Sequence, residues 1–365
     1  MRPVDHSFGV FSPPGGAPRA GAVEGAFVLD LAALAGAGLL EPLGGAFAAP
    51  ALNPFMAAGP AAWARTREAL AALRGDARAD AHRHQLDAVA LHLPFVVADY
   101  VDFYASLHHA TNLGRMFRPG GEPLLPNWRR LPVGYHGRAG TVVVSGTDIV
   151  RPCGQYLGAD GEPVFGPTRR LDLELELGFV IGTPSAHGER VRIERALEHV
   201  FGVVLLDDWS ARDLQAWEYQ PLGPFLGKSF ATSVSAWVTP LDALPRTARP
   251  PQEPEPLAYL REPPWALDVP LEVEVGGERV AATNASELYW SPAQMIAHLT
   301  ANGASLRTGD LLGSGTISGP GEAERGSLIE LGRNGATRPF LGDGDEVVLR
   351  GAGLGEVRGR ILPAR

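Results

Sequence analysis

Glycine and proline recur along the whole chain and limit the length of every regular element. The 365 residues include 45 glycines and 32 prolines, and both residue types interrupt helices and strands. Short runs of β-branched and aromatic residues lie between them, which is typical of proteins built from many strands and turns. The pattern predicts a mainly β fold. The length indicates two or three domains, or one large domain with an appendage.

A change of composition near residue 92 marks the expected domain boundary. Before it, the patterns predict strands at 9–11 and 26–29 and Ala-rich helices at 61–73 and 79–91. His82 and His84 fall on the second helix and are expected to face solvent. After it, aromatic, Asp, His and Asn residues become more frequent. We therefore divide the chain into domains 1–95 and 96–365.

The second region is predicted to contain further strands joined by turns. The predicted strands cover 141–144, 171–180, 200–206, 267–275, 278–282, 346–349 and 355–362, with a short helix at 193–199. Gly276 and Gly277 join two of these strands as a hairpin. The Pro-rich stretch 245–264 is predicted to be an extended loop of this domain.

Charge, hydropathy and cysteine content exclude several classes of protein. The net charge is −9 and basic residues do not cluster, so nucleic acid is not an expected partner. No stretch offers the roughly 20 unbroken apolar residues of a membrane span, and residues 1–5 lack the apolar core of a signal peptide. The single cysteine, Cys153, allows no internal disulfide and no cysteine-based zinc site. We expect a soluble, cytoplasmic protein.

Lys228 is the only lysine among 32 basic residues. One interpretation is that it is a surface residue retained by chance in an arginine-biased composition. The other is that it occupies a site that needs a compact ammonium where a planar guanidinium would not fit. Composition does not decide between the two.

Residues 171–177 alternate strictly between leucine and carboxylate, in the order LDLELEL. In a strand this places Asp172, Glu174 and Glu176 on one face, with neighbours on that face about 7 Å apart. Two of them could hold one cation, but a solvated acidic face gives the same pattern. Residues 271–275 alternate in the same way and lead into the predicted hairpin. The pattern alone therefore favours a solvated face for both segments.

The next predicted strand strengthens the case for a metal site. Its apolar run, 203–206, is followed directly by Asp207 and Asp208, so a strand buried on both faces would deliver two carboxylates at its tip. Oxygen ligands without cysteine favour Ca²⁺ or Mg²⁺ over Zn²⁺ or Cu²⁺. An anionic substrate at such a site would need added cations, and Lys228 lies some twenty residues further on.

A short helix is predicted directly after these carboxylates. Residues 210–213, SARD, resemble a capping box. On this helix Arg212, Gln215 and Tyr219 fall on one face. That face could line a site, and a solvated helix face explains it equally well.

Two further segments carry candidate chemistry. His108 and His109 lie in a stretch dense in polar residues, where a histidine commonly serves as general base, although a structural role competes. The glycine-rich stretch 313–319 does not have the spacing of a dinucleotide-binding loop. It could still form a backbone nest for a carboxylate.

Several blocks together resemble the fumarylacetoacetase (fumarylacetoacetate hydrolase) family. They are DFYASLHHATN at 102–112, LPNW at 125–128, LPVGYHGR at 131–138, LELE at 173–176, DWSARD at 208–213, WEY at 217–219, the stretch 221–230, and GTISG at 315–319. The resemblance is dense over 99–232 and 308–331 and weaker but collinear over the N-terminal region. Long matches in many blocks are more specific than any single short motif.

The resemblance implies a fold, an activity and a partner. The fold is mainly β, with a small SH3-like N-terminal barrel followed by a mixed β-roll catalytic domain, in a homodimer. The activity is metal-dependent hydrolysis of the carbon–carbon bond of 4-fumarylacetoacetate, a diketo-dicarboxylate, to fumarate and acetoacetate. This is the last step of tyrosine and phenylalanine catabolism.

The resemblance also implies roles for individual residues. The divalent ion, Ca²⁺ or Mg²⁺, would be held by Asp102, Glu174, Glu176 and Asp208, with a second ion near Lys228 and Thr232. The catalytic residues would be His109 as base, Glu330 as its partner, and Arg212, Gln215 and Lys228 as the oxyanion site. The substrate would be held by Tyr104, Arg118, Tyr135, Gln215, Tyr219 and Thr316.

Three alternatives remain open from the sequence. The chain could be a related enzyme that hydrolyses or decarboxylates another diketone, an acylpyruvate or an oxaloacetate-like acid. It could be a non-catalytic calcium-binding β protein that uses only the carboxylates. It could also be a structural acidic sheet that binds no metal.

Overall fold

A computed structural model describes all residues, 1–365. Residues 1–95 contain five strands and four helices. The strands are β1 (Phe8–Ser12), β2 (Arg19–Glu24), β3 (Phe27–Asp30), β4 (Arg83–Gln85) and β5 (Ala90–His92). The helices are α1 (Leu31–Gly36), α2 (Asn53–Ala57), α3 (Pro60–Ala72) and α4 (Ala77–Asp80).

The remaining chain is dominated by short strands. The strands are β6 (Tyr100–Phe103), β7 (Gly134–His136), β8 (Val142–Val144), β9 (Ile149–Val150), β10 (Cys153–Leu157), β11 (Pro163–Pro167), β12 (Leu171–Asp172), β13 (Leu175–Ile181), β14 (Val200–Asp208), β15 (Ser210–Ala211), β16 (Thr232–Val234), β17 (Trp237–Val238), β18 (Arg246–Ala248), β19 (Trp265–Leu267), β20 (Pro270–Val275), β21 (Glu278–Asn284), β22 (Leu311–Gly313), β23 (Glu346–Gly351) and β24 (Gly355–Leu362). The helices are α5 (Leu107–Phe117), α6 (Arg212–Glu218), α7 (Pro292–Leu299) and α8 (Leu328–Leu331). None of the helices combines the length and apolar character that crossing a membrane requires.

The N-terminal sheet is completed by a strand from the later part of the chain. Its order is β17-β1-β2-β3-β4, with β5 also paired to β1. Phe8 pairs with Val238 and Gly9 with Trp237. A Cβ on Gly9 would lie 2.6 Å from the Ala236 carbonyl oxygen, so only glycine allows β17 to approach this closely.

A seven-stranded mixed sheet forms the centre of the molecule, in the order β7-β6-β22-β13-β14-β16-β8. Alternate residues of its strands enter two different cores. Leu177 on β13 and Leu205 on β14 pack into the larger core of the C-terminal part. Val180 and Val204, on the opposite face, pack with residues of the N-terminal sheet such as Phe8. Both faces are therefore covered, and β13 and β14 are buried at every position.

The structure confirms most predicted elements. The helix at α3, the 3-10 helix Ile193–His199, the hairpin of β20 and β21, and strands β14, β23 and β24 all lie where the patterns placed them. The predicted loop 245–264 is mostly irregular but contains β18 and a 3-10 helix, Ala258–Leu260. Strand β2 was not anticipated, because its small residues resemble the Ala/Gly-rich sequence around it.

Three predictions of local structure are wrong. The helix expected at 79–91 ends at Asp80, and β4 and β5 follow because they pair with β3 and β1, so tertiary pairing overrides the helix propensity of Ala and Leu. His84 consequently lies on β4, half-buried and 3.7 Å from Asp30. The strand expected at 171–180 is broken between β12 and β13. Residues 210–213 form no capping box, since the Ser210 hydroxyl donates to the Asp208 carbonyl instead.

Candidate active site

Carboxylates from neighbouring strands meet on one face of the seven-stranded sheet. Asp102 on β6 lies opposite Gly313 on β22, and Gly313 pairs with Gly178 on β13, two residues from Glu176. Glu176 itself pairs with Leu206 on β14, two residues from Asp208. Since paired residues share a face, this register brings Asp102 and Asp208 to the same side as Glu176. Glu174 joins them from the break between β12 and β13. Ligand oxygens of these four carboxylates, Asp102, Glu174, Glu176 and Asp208, all lie within 4.8 Å of one another.

The carboxylate cluster is buried and short of compensating partners. Asp102 Oδ1 and Glu176 Oε1 have no hydrogen-bond partner. Burial and the charge of Asp208 raise the pKa of Asp102 to about 8, and burial and the charge of Asp102 raise the pKa of Glu176. Unpaired buried carboxylates are unfavourable unless a cation compensates them. The donor set therefore fits a hard divalent cation.

These positions correct the prediction of a solvated face at 171–177. Asp172, Glu174 and Glu176 are all buried. The start of α8 and Arg212 enclose Asp172, Lys228 and Arg212 lie against Glu174, and β22 passes Glu176 at Gly313. For 271–275 the prediction is closer, since Glu272 and Glu274 are half-buried and pair with Arg279 and Arg350.

Lys228 inserts its ammonium among the carboxylates. Its Nζ lies 2.5 Å from Glu174 Oε2 and 2.6 Å from Asp208 Oδ2. Although burial opposes the charged form, Asp208 and Glu174 raise the pKa of Lys228. The Thr232 hydroxyl donates to Asp208 Oδ1 at 3.4 Å. The lone lysine is therefore a buried cation and not a surface residue.

Arg212, the first residue of α6, is held by several polar groups. Its Nε donates to Asp172 Oδ2 at 2.8 Å, its Nη2 lies 2.7 Å from Glu174 Oε1, and its Nη1 donates to Gln215 Oε1 at 3.2 Å. Tyr219, predicted on the same helix face, is exposed and its hydroxyl accepts from Gln220. The structure thus brings Arg212 and Gln215 to the carboxylates and leaves Tyr219 at the surface.

His109 and Glu330 form a buried pair although they are 221 residues apart in sequence. His109 Nδ1 lies 2.6 Å from Glu330 Oε2. Glu330 also accepts from the Asn112 amide at 2.9 Å and from the Ser318 and Ser327 hydroxyls at 2.9 and 2.7 Å. Burial opposes ionisation, but His109, Asn112 and Ser327 lower the pKa of Glu330 to about 2. An ionised carboxylate only accepts, so Nδ1 carries the proton and Nε2 is the nitrogen that can take another.

The other predicted substrate residues divide into two groups. The Tyr104 ring contacts the His109 ring edge to face at 5.3 Å, the Tyr135 hydroxyl donates to Asp208 Oδ2 at 3.3 Å, and the Thr316 hydroxyl is buried without a partner. Arg118 is exposed and donates to the Pro123 carbonyl at 2.6 Å. Burial and Glu330 raise the pKa of Tyr104, and the charge of Arg118 opposes this rise.

Asp172 and Asp207, which the strand patterns offered as possible cation ligands, lie outside the group of four carboxylates and accept hydrogen bonds from other partners. Asp172 accepts from Arg212, and Asp207 Oδ1 accepts from the Glu174 backbone N–H at 3.1 Å. The alternation at 171–177 and the paired carboxylates after β14 indicated these residues but not their partners. The glycine-rich stretch 313–319 offers a backbone donor to a carboxylate, since the Gly315 backbone N–H donates to Glu176 Oε2 at 2.9 Å.

The fold and this site define a class of protein: a mainly β enzyme in which a histidine–carboxylate pair lies beside a buried cluster of carboxylates and cations. Comparison with known proteins gives the family. The model for fumarylacetoacetate hydrolase, C-terminal, matches residues 99–362, and the model for fumarylacetoacetase, N-terminal, matches residues 7–94. The chain belongs to the fumarylacetoacetase family.

Individual relatives agree with this family. Fumarylacetoacetase of Caenorhabditis elegans is 47% identical and that of Homo sapiens 46%, in each case over 98% of this chain and 95% of the relative. A fumarylacetoacetate hydrolase of Exiguobacterium antarcticum has a similar fold, with a TM-score of 0.63 at 20% identity over 98% of this chain and 99% of that one. The fold class and the family predicted from the sequence are confirmed.

Proposed function

We propose that this chain hydrolyses 4-fumarylacetoacetate to fumarate and acetoacetate, at the end of tyrosine and phenylalanine catabolism. The named activity of relatives at 46–47% identity over nearly the full chain supports the substrate. The observation that carries the proposal is the buried His109–Glu330 pair, which supplies a general base beside a carboxylate cluster that fits a cation.

Asp102, Glu174, Glu176 and Asp208 would hold the divalent ion, Ca²⁺ or Mg²⁺. When bound, the ion supplies Lewis acidity that stabilises negative charge on substrate oxygens. A second cation site near Lys228 and Thr232 would use the Lys228 backbone, because a charged ammonium has no electron pair to donate. Alternatively, the Lys228 ammonium takes the place of the second ion and supplies the positive charge there.

His109 is proposed as the base that activates water. Glu330 holds the imidazole through Nδ1 and stabilises the imidazolium, so Nε2 takes a proton from a water molecule. The resulting hydroxide adds to a ketone carbonyl of the substrate. The carbon–carbon bond then breaks, and the leaving acetoacetate carries the electron pair until it is protonated.

Arg212, Gln215 and Lys228 are proposed to stabilise the oxyanion formed by this addition. Gln215 Oε1 accepts from Arg212, which leaves the Gln215 amide N–H groups for the substrate. Removal of one such donor typically costs about 3–4 kcal/mol of transition-state stabilisation.

The substrate is a dianion, so its binding beside an acidic cluster needs nearby cations and hydroxyl donors. We propose that Tyr104, Tyr135 and Thr316 donate to it, because their side chains adjoin His109 or the carboxylates or are buried without a partner. Arg118 and Tyr219, which are exposed, would contact its outer end. Lys228 and Arg212 offset the negative charge of the cluster.

We also propose that the protein is a cytoplasmic homodimer. Exposed apolar side chains concentrate on the β10–β11 hairpin, on α6 and on the segment after it: Leu157, Val164, Phe165, Trp217, Leu222, Phe225 and Leu226. An apolar patch of this kind favours contact with a second copy of the chain. Light scattering would then give twice the chain mass for the natural protein and for Val96→Asp, an exposed apolar residue outside the patch. Phe165→Asp with Leu222→Asp would give a monomer, and a monomeric natural protein would reject the dimer.

Turnover of two substrate classes tests the proposed reaction. We expect loss of diketone absorbance with 4-fumarylacetoacetate at a higher kcat/KM than with acylpyruvates. A preference for acylpyruvates would assign a related enzyme of the same fold. Metal-dependent stabilisation without any turnover would assign a non-catalytic metal-binding protein.

A further inference from the structure

Asp172 is a fully buried carboxylate that the proposed reaction does not use directly. It lies on β12 and has 0% exposed surface. Oδ1 accepts from the backbone N–H groups of Leu173 and Leu328, both at 2.8 Å. Oδ2 accepts from Arg212 Nε at 2.8 Å and from the Ile329 backbone N–H at 3.0 Å. Four donors on one buried carboxylate fix its position and the positions of the groups that donate to it.

Two of these donors begin α8, the short helix that carries Glu330. The residue before this helix, Ser327, makes no side-chain cap, because its hydroxyl donates to Glu330. Asp172 therefore takes the place of a local cap from 156 residues away. Without it, two buried N–H groups of the first turn would lose their acceptor, and the helix that carries Glu330 would lose the anchor of its first turn.

The third partner, Arg212, belongs to the proposed oxyanion site. With Nε held by Asp172, its other two nitrogens face Gln215 and Glu174. The backbone reinforces this arrangement, since the Arg212 N–H donates to the Arg170 carbonyl at 2.9 Å. Asp172 thus sets which edge of the guanidinium is available to the rest of the site.

The residues directly after Asp172 also carry a carboxylate of the cluster. Glu174 forms a bridge with Ser327, and the Leu175 N–H donates to the Gly326 carbonyl at 2.9 Å. The segments that hold Glu174, Glu330 and Arg212 therefore meet at one side chain.

We infer that Asp172 is a positioning residue that fixes Arg212 and Glu330 relative to each other and so aligns the oxyanion donors with the base. The inference rests on the proposed function. It does not require Asp172 to touch the substrate. Loss of its carboxylate would loosen both partners together.

Asp172→Asn tests the inference, with Asp30→Asn as a matched control. Asparagine replaces one acceptor oxygen with an N–H₂ donor, which opposes the donors already present. Asp30 is also buried, accepts from Arg19 Nε at 2.8 Å and caps α1 through the Ala33 N–H at 3.0 Å, but it lies in the N-terminal sheet. Both variants are expected to lower Tm. Only Asp172→Asn is expected to lower kcat, by about 10- to 100-fold with little change in KM.

Calorimetric titration with Ca²⁺ counts the folded sites, and kcat is expressed per bound ion. A partly unfolded sample therefore does not appear as a loss of kcat. If Asp172→Asn does not fold, Asp172→Glu, which keeps the carboxylate, is measured in the same way and is expected to lose activity per site as well. A value within about threefold of the natural enzyme for the folded variant would overturn the inference, as would an equal loss in Asp30→Asn.

A double-mutant cycle with Arg212→Lys distinguishes positioning from general destabilisation. If Asp172 acts through Arg212, the second substitution adds little to the first, whereas independent structural damage gives multiplicative losses. Turnover by the natural enzyme in the same assay separates the role of Asp172 from the proposed function. No turnover of fumarylacetoacetate would reject the proposed function, while normal turnover together with an unimpaired Asp172→Asn would reject only the role of Asp172.

Discussion

At the scale of single residues, Lys228 contacts two carboxylates through one compact ammonium. Its Nζ lies 2.5 Å from Glu174 and 2.6 Å from Asp208. A guanidinium is planar and wider, so Lys228→Arg keeps the charge but cannot occupy the same space. We predict that this variant folds with a somewhat lower Tm, because the site is buried, and loses about 100-fold or more in kcat. Arg195→Lys, at an exposed ion pair with Glu198, should change neither quantity, and full activity of Lys228→Arg would make the lone lysine incidental.

His109 and its neighbour His108 provide an internal comparison. His109 is buried against Glu330, whereas His108 is half-exposed and lies 3.3 Å from Glu287. His109→Ala should lower kcat by about 10²- to 10⁴-fold, because it removes the proposed base, while calorimetric titration shows unchanged metal binding. His108→Ala should keep near-normal turnover. Near-normal turnover of His109→Ala with bound metal would contradict the assignment.

The sequence predicts the identities of site residues better than their partners. A run of Asp, Tyr and His at 102–109 indicates a candidate base without showing its orientation. The pairing of His109 with Glu330 depends on a contact between α5 and α8 that no local spacing encodes. Asp172 illustrates the same limit, because three of its four donors come from segments that are distant in sequence.

At the scale of elements, alternation in a strand shows which residues share a face but not what covers that face. Segments 171–177 and 271–275 have the same pattern. The first is buried, because α8, Arg212, Lys228 and β22 lie against its carboxylates, and the second is half-exposed near a hairpin. The decisive difference lies in the neighbouring elements.

Strand β22 passes the cluster with a glycine at the point of closest approach. A Cβ on Gly313 would lie 2.9 Å from Asp102 Oδ1 and 3.0 Å from Glu176 Oε2. Gly313→Ala should therefore displace these carboxylates and weaken Ca²⁺ or Mg²⁺ binding by about 10- to 100-fold in calorimetric titration. Gly36→Ala on α1, where the added methyl meets open space, should leave metal binding unchanged. Equal affinity for both variants would show that the cluster does not need this space.

Helix α8 gives a prediction for the pH dependence of stability. The pKa of Glu330 is lowered from 4.5 to about 2, so ionised Glu330 contributes about 3 kcal/mol to the free energy of unfolding at neutral pH. A lowered pKa means that this contribution is present above pH 4.5 and is lost as pH falls toward 2, with about half lost by pH 3.5. Chemical denaturation of the natural protein and of Glu330→Gln should show a stability difference that shrinks over this range. A difference independent of pH would contradict the ionised state of Glu330.

At the scale of the whole molecule, composition and strand patterns predict the mainly β class. They do not predict how segments distant in sequence pair and pack. Strand β17 joins the N-terminal sheet and pairs with β1 across more than 220 residues of sequence. The face of the central sheet that carries the carboxylates packs against N-terminal residues such as Phe8. The division into domains 1–95 and 96–365 therefore stays a proposal, because one hydrophobic core contains residues from both parts.

The central claim is that this molecule cleaves 4-fumarylacetoacetate with a divalent ion held by the buried carboxylates. The most direct test measures the loss of diketone absorbance in protein freed of metal with a chelator, before and after Ca²⁺ or Mg²⁺ is restored. We predict turnover that disappears with the chelator and returns with either ion, together with a rise in Tm when the ion binds. An unchanged rate in the metal-free protein, or no turnover with the ions restored, would contradict the claim.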